Sequence, residues 1–348
     1  MESKLILFKK VFDVKLYVSP FSDSMKEKEF ELKVFSGTSN PKLSEEIASF
    51  LGKTLGKISI SRFSDGEINL AINESVRGHD IFFIQPTCYP TNETLMELLL
   101  FLDAAKRASA KRITAVMPYY GYARQDRKSS PRTPISARLV ADLITVAGAN
   151  RVLAVDLHAA QIQGFFNIQL DNLSAKLLVA DHLKEQKIQD LCIVSPDIGG
   201  IRRARDLSKM LGAKLAVVDK QRTEPNKSQV MNVIGKVKGK HCVMVDDIID
   251  TAGTMAAAAV QLKKFGALSV KAYASHAILS GKAIEKIEKS PIKEVVVSDS
   301  VPLNGKAVKC KKIKVFSIAE LLAKAIQNIH TSQSVSELFE LDKQVKLI

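Results

Sequence analysis

The feature that most constrains this chain is its alternation of short, apolar, β-branched runs with longer segments of helical periodicity. From Leu32 onward, KVFSG gives way to PKLSEEIASFLGKTL, then to KISIS and DIFFIQ, a long helical segment, RITAVMP, another helix and RVLAVD. In the long segment Leu95, Leu98, Leu99 and Leu102 recur at helical spacing. A run as unbroken as DIFFIQ suits a strand covered on both faces, because a strand with one wet face would alternate apolar and polar residues. Together these patterns predict a mostly parallel sheet wrapped by helices.

The alternation resumes after a polar junction around Asp171 to Ala175. It runs through DLCIVSP, a helix after GG, KLAVVD, HCVMVDD, an alanine-rich helix, SVKAYAS, KEVVVSD and KIKVFS. A closing helix carries Ile318, Leu321, Leu322, Ala325 and Ile329 on one stripe. The chain has 348 residues, enough for two domains of ordinary size. We therefore expect two tandem α/β units, over residues 32–172 and 173–330. The tail 331–348 is expected to pack back on the first unit, and residues 1–31 form an extension that is a candidate for disorder.

Composition narrows the classes of function. A formal charge of +14 favours anionic partners. Aromatic residues are only 6% and Trp is absent, so platforms for stacking nucleic-acid bases are scarce. The basic stretch ARQDRKSSPRTPIS contains two prolines and lacks a groove-fitting helix, which makes it a phosphate-facing loop and argues against nucleic acid as a partner. No window approaches 18 uncharged apolar residues, so no membrane span is expected. Residues 1–30 are too interrupted by charge for a secretory segment. Cys88, Cys192, Cys242 and Cys310 show no paired spacing, which suits reduced thiols and a cytoplasmic setting.

In sheets of this kind ligands bind beyond the carboxyl ends of the strands. The clearest such place is VMVDDIIDTAGTMAAAA, Val243 to Ala259. Val243 to Val245 are read as the end of a strand, Asp246 and Asp247 as its sequel, and Asp250-Thr251-Ala252-Gly253-Thr254 as a turn into a helix starting near Met255. Unpaired amides, the helix dipole, two hydroxyls and a glycine make an anion site. The neighbouring carboxylates would repel phosphate unless they serve sugar hydroxyls or a bound Mg²⁺. The competing reading is an acidic turn with a simple N-cap.

This segment resembles the phosphoribosyl-binding motif shared by phosphoribosyltransferases and ribose-phosphate pyrophosphokinases. Five further segments, RFSDGEI, YYGYARQDRK, VDLHAAQIQGFF, VSPDIGG and VVDKQR, resemble the second family alone, and the likeness runs from about Val34 to Leu341. The resemblance implies two phosphoribosyltransferase-like domains. It implies transfer of the β,γ-pyrophosphoryl group of ATP to ribose 5-phosphate with Mg²⁺ as cofactor, a homo-oligomer, expected as a hexamer, and phosphate and ADP as effectors.

Residue roles follow from the same resemblance. Lys220 and Arg222, on a polar lid-like segment that continues QRTEPNKSQ, match catalytic cations, Arg222 also facing the sugar phosphate. Asp246, Asp247, Asp250, Thr251, Ala252, Gly253 and Thr254 match the ribose 5-phosphate site. Phe63, Asp65, Gly66, Glu67, Arg124, Gln125 and His158 match the ATP site, with the Phe63 segment reaching across a subunit boundary. His158 and Asp197 match the metal positions, and Asp156 and Asp171 are candidate outer carboxylates. Taken alone, RFSDGEI would read as a hairpin turn at SDG. Ser75, Arg77, Arg132, Ser334 and Ser336 resemble parts of a regulatory anion site, although Ser334 and Glu337 are also spaced as a helix capping box. Asn167 stands where many relatives have an aspartate, and Ser129 and Ser130 replace residues that often include an arginine.

Overall fold

The computed structural model of the chain describes residues 30–221 and 230–338. The first part builds β1 (Leu32–Ser36), α1 (Pro41–Phe50), β2 (Ile58–Arg62), β3 (Ile68–Ile72), β4 (Asp80–Ile84), α2 (Thr91–Arg107), β5 (Arg112–Met117), α3 (Ser136–Ala147), β6 (Arg151–Val155) and β7 (Gln169–Leu173). The second builds α4 (Lys176–Glu185), β8 (Leu191–Ser195), α5 (Ile201–Met210), β9 (Lys214–Gln221), β10 (Val230–Ile234), β11 (His241–Ile249), α6 (Gly253–Lys264), β12 (Ser269–Ala277), α7 (Ala283–Lys289), β13 (Ile292–Ser298), α8 (Gly305–Lys309), β14 (Ile313–Phe316) and α9 (Ala319–His330).

These elements form two layered systems. One sheet has the order β1-β4-β5-β6-β7 with every pair parallel. The other has the order β10-β9-β8-β11-β12-β13-β14, parallel except for the β9–β10 hairpin at its edge. β2 and β3 stand apart as an antiparallel hairpin whose tip is SDG.

The unbroken apolar strands are covered on both faces, as their composition requires. In β4 every residue is buried: Ile81 and Phe83 face a core that includes Phe101 and Leu102 of α2, while Phe82 and Ile84 face one that includes Leu43 and Ile47 of α1. Helix α9 follows β14 in sequence yet packs in this second core beside α1, through Leu322, Ala325 and Ile326. The chain thus returns to the first sheet at Ala319, ahead of residue 331, where the sequence pattern placed the return. Asp80 anchors the return: it pairs with Arg112 and accepts from His330 Nδ1 at 2.8 Å, and Arg112 also donates to the Ile329 carbonyl at 2.9 Å.

Two sequence expectations change. The polar junction at Asp171 to Ala175 is partly a strand, β7, so the expected split near residue 172 falls inside a strand. At a sheet edge, Asp171 need not be apolar, because it pairs with Arg151 on β6. Likewise β11 does not stop at Val245 but runs through both aspartates to Ile249, because Asp246 and Asp247 find charged partners within the fold. The four cysteines are buried free thiols, and Cys192 and Cys242 turn out to be register neighbours on β8 and β11. Among the described residues, no helix is long and apolar enough to cross a membrane.

Candidate active site

β11 lies inside the second sheet, between β8 and β12. Its first half, Cys242 to Val245, is buried apolar core. Its end, with the loop into α6, forms one wall of a cleft of about 360 Å³ lined by residues 246–255, with Asp197, Gly199, Gly200 and Arg203 from the β8–α5 side and Arg124 and His158 from the first sheet. The cleft therefore sits where the carboxyl ends of the strands from both sheets meet, as open α/β sheets place their ligands.

The turn into α6 has a specific backbone. Ala252, at the N-cap position, adopts the left-handed conformation at φ 55° and offers no side-chain cap to the helix. A non-glycine residue there is strained, and strain of this kind is retained where surrounding structure enforces it. The consequence is that the first amides of α6 lack a side-chain acceptor and open on the cleft beside Thr251 and Thr254. The simple N-cap reading of this stretch is thereby excluded.

Behind the turn lies a compact charge cluster. Arg203 donates from Nη1 to Asp246 Oδ1 at 3.0 Å and from Nη2 to Asp247 Oδ1 at 3.1 Å. His158 Nδ1 lies 2.6 Å from Asp247 Oδ2. Burial pushes the Asp247 carboxyl up, but the His158 hydrogen bond and the Arg203 charge outweigh it and hold Asp247 ionised, below the usual carboxylate range. Asp246 bears the converse burden: burial and the adjoining Asp247 raise it to about 8, against the pull of Arg203, so the pair retains a proton at neutral pH. The hydrogen bond to Asp247 raises the pKa of His158, against the effect of partial burial.

The two sheets are tied across the cleft. Arg124 Nη1, on the loop after β5, reaches Asp250 Oδ2 at 2.5 Å, and Ser280 Oγ donates to the other oxygen of the same carboxylate. Asp197 turns back to accept from the Gly200 amide at 3.0 Å, fixing the entry to α5.

The cleft gathers ten of the residues singled out from sequence: Arg124, His158, Asp197, Asp246, Asp247, Asp250, Thr251, Ala252, Gly253 and Thr254. Others lie elsewhere. Phe63, Asp65, Gly66 and Glu67 occupy the exposed tip of the β2–β3 hairpin, where Asp65 Oδ1 accepts from the Glu67 amide at 3.1 Å. Gln125 accepts from Ser136 Oγ at the start of α3. Asp156 and Asp171 do not line the cleft: Asp156 is bonded to Ser174, Ala175 and Ser275, and Asp171 to Arg151. Ser75 and Arg77 are exposed, with Arg77 donating to Ser109 Oγ at 3.3 Å, and Arg132 is exposed with φ 63°. Ser334 Oγ accepts from the Ser336 amide at 3.2 Å at a short 3-10 turn, Ser336–Leu338, and the rest of the terminal helix expected there lies outside the described residues. The backbone of Lys220 lies in β9, while Arg222 and the rest of the expected lid, residues 222–229, lie outside the described residues.

Arg203 is the main residue that sequence reasoning missed. It sits in IRRAR, where one arginine among several on a polar helix reads as a solvated face. The signal available was positional: Arg203 is one turn into the helix that follows VSPDIGG, at the same edge of the sheet as Asp246.

Comparison with known proteins places the chain in a family. Residues 32–148 match the model for the N-terminal domain of ribose phosphate pyrophosphokinase, and residues 190–340 match that for the phosphoribosyl synthetase-associated domain. The chain belongs to the ribose-phosphate pyrophosphokinase family. It is 53% identical over 307 residues to the ribose-phosphate pyrophosphokinase of Wolinella succinogenes, covering 88% of this chain and 98% of that one. It is 54% identical over 309 residues to the same-named protein of Caldanaerobacter subterraneus, at the same coverage. Among solved structures, the phosphoribosylpyrophosphate synthetase from Mycobacterium smegmatis superimposes with a TM-score of 0.83 at 41% identity, covering 87% of this chain and 99% of that one. The two-sheet fold of this family member is thus that of a known pyrophosphokinase.

Proposed function

We propose that the cleft between the two sheets is where the chain makes phosphoribosyl pyrophosphate from ribose 5-phosphate and ATP. The observation that carries the reading is the uncapped start of α6, which opens on the cleft between two threonines and next to three aspartates. In this arrangement the 5-phosphate sits on the amides of Gly253 and Thr254 and the hydroxyls of Thr251 and Thr254, where the α6 dipole favours an anion. Asp246, Asp247 and Asp250 then face sugar hydroxyls, not phosphate, which removes the apparent conflict of acids beside an anion site.

The anomeric hydroxyl attacks the β-phosphorus of ATP: a bond forms between them, the bond from that phosphorus to the α-phosphate oxygen breaks, and AMP leaves while the hydroxyl gives up its proton. Charge accumulates on the transferred oxygens, so the chain contributes mainly position and cations. Arg124 and His158 enter the cleft from the first sheet and are assigned to the triphosphate, on the resemblance of YYGYARQDRK and VDLHAAQIQGFF. Lys220 and Arg222 are assigned to the transferred group. The support is the resemblance of VVDKQR, together with the parallel pairing of β9 with β8, which brings the end of β9 to the sheet edge that carries Asp197.

Mg²⁺ fits this donor set. Among the described residues, no three His, Cys, Asp or Glu side chains converge as a ready-made metal cage. Mg²⁺ rarely needs one, since it is commonly held by one or two carboxylates plus substrate phosphates. Asp197 offers a hard oxygen in the cleft, and His158, with Nδ1 engaged by Asp247, keeps Nε2 as its second ring nitrogen. When bound, the ion would neutralise developing phosphate charge. A homohexamer working in the cytoplasm, with Phe63, Asp65, Gly66, Glu67 and Gln125 completing the nucleotide site, and phosphate and ADP acting at Ser75, Arg77, Arg132, Ser334 and Ser336, is the remaining part of the proposal. Its support is the resemblance of those segments.

The direct test is an assay of AMP release. AMP should appear only when ribose 5-phosphate and ATP are both present, and AMP formed from ATP alone would overturn the reading. Thr254→Ala should raise the KM for ribose 5-phosphate about tenfold while leaving that for ATP within about twofold, as expected for the loss of one hydrogen bond to a charged group.

A further inference from the structure

α7 packs beside the phosphate turn, and Lys286 on it donates from Nζ to the carbonyl of Thr251 at 3.1 Å. Its ammonium also stands close to the first residue of α6. A Cβ built on Gly253 would lie 3.6 Å from Lys286 Nζ and 3.7 Å from Thr251 Oγ1. Both are ordinary contact distances, so Lys286, exposed on α7 and outside the residues that line the cleft, stands at the rim of the turn beside Gly253 and Thr251.

Electrostatics makes this placement informative. The start of α6 carries the positive end of the helix dipole, and a cation beside it is unfavourable by itself. Among the described residues, Lys286 forms no ion pair that would offset the repulsion. A lysine ammonium has three donors, and the Thr251 carbonyl takes one. An anion seated between the α6 amides and Lys286 satisfies both positive groups together.

We propose that Lys286 is a substrate-binding residue that holds the phosphate of ribose 5-phosphate from the α7 side, opposite the amides of Gly253 and Thr254. The inference rests on the assignment of the turn to the sugar phosphate, and it extends that site to a helix outside the motif from which the site was read. The step is one of binding only. Lys286 contributes charge to the ground state and the transition state alike, so its loss should raise KM and spare kcat.

Three variants of the full-length enzyme separate charge from loop support. Lys286→Gln keeps a donor for the Thr251 carbonyl but removes the charge, Lys286→Ala removes both, and Lys286→Arg restores charge. With steady-state kinetics and calorimetric titration of ribose 5-phosphate, the Gln and Ala variants should each weaken sugar-phosphate binding about tenfold. The KM for ATP and kcat should change by less than about twofold, Arg should recover most of the loss, and the difference from wild type should shrink as salt is added. A Gln variant with wild-type affinity would show that Lys286 only supports the turn, and would overturn the inference. An equal loss for ATP and sugar phosphate would overturn it as well. The assignment of the site fails separately: in that case Thr254→Ala, which leaves Lys286 in place, would bind ribose 5-phosphate as tightly as wild type.

Discussion

At the end of β6 the chain reads Val155-Asp156-Leu157-His158, and at the end of β11 it reads Val245-Asp246-Asp247. In both places a buried apolar strand delivers carboxylate toward the seam between the sheets, yet the two are used differently. Asp156 is spent on the frame. Its carboxylate accepts from Ser174 Oγ at 2.8 Å, from the Ala175 amide at 3.1 Å and from Ser275 Oγ, and its backbone is held at φ 40°. His276, fully buried at the end of β12, locks the same turn with Nε2 3.1 Å from the Val155 carbonyl, while its Nδ1 lies 2.8 Å from Ser300 Oγ. Asp247 instead meets His158 and Arg203, two side chains that themselves line the cleft. Of these two strand ends, the carboxylate that meets cleft-lining side chains is the candidate for chemistry, and the one bonded only to backbone and hydroxyl donors outside the cleft supports the seam.

The contrast is broken most directly at Asp247. Asp247→Ala leaves Arg203 and His158 without the charge they share, so it should cost about 3–5 kcal/mol of stability. It should also lower kcat/KM about 10–100-fold through loss of His158 orientation. Denaturant titration and steady-state kinetics would show both. A variant as stable and as active as wild type would place Asp247 among frame residues.

Asp156→Ala should act on the frame. It leaves buried donors unpaired at Ser174, Ala175 and Ser275 and should cost about 1–3 kcal/mol. If Asp156 serves only the seam, the variant assayed well below its melting temperature should retain the KM for ribose 5-phosphate. A selective rise in that KM would return Asp156 to the site.

The seam should also respond to pH through His276. Burial depresses its pKa below the ordinary histidine value, so the fold favours the neutral ring. Its contribution is therefore present above about pH 6.5, the value of an unfolded histidine, and declines as pH falls below it. His276→Gln should lower stability at pH 7.5 yet flatten the fall between about pH 6.5 and 5, measured as melting temperature against pH. An unchanged slope would mean that His276 stays neutral in both states or that another group governs the acid limb.

The smallest effect belongs to Asp171, on the edge strand β7 and paired with Arg151. Asp171→Ala should shift stability by about 1 kcal/mol or less, with no change in the Mg²⁺ dependence of activity. A clear shift in the Mg²⁺ requirement would restore its role as an outer carboxylate.

Much of this was legible before any coordinates. The fully buried β4 shows why DIFFIQ carries no polar alternation, and the Asp250 to Thr254 turn lies where a strand–turn–helix reading puts it. Arg203 and Lys286 were not legible. Each is a basic residue on a short polar helix, and what it meets is distant in sequence: an acid pair more than 40 positions away for Arg203, and the Thr251 carbonyl 35 positions away for Lys286.

The two sheets, their buried strands and the Asp250–Thr254 turn were written in the sequence, because apolar periodicity and turn chemistry act over a few neighbouring residues. Only the tertiary structure decided which carboxylates serve the frame and which the cleft, that α9 closes on the first sheet, and that Cys192 and Cys242 are neighbours across two strands. These outcomes depend on partners brought together by sheet order, and a charge or a donor acquires its role from what lies a few ångströms away, not from what lies beside it in the chain.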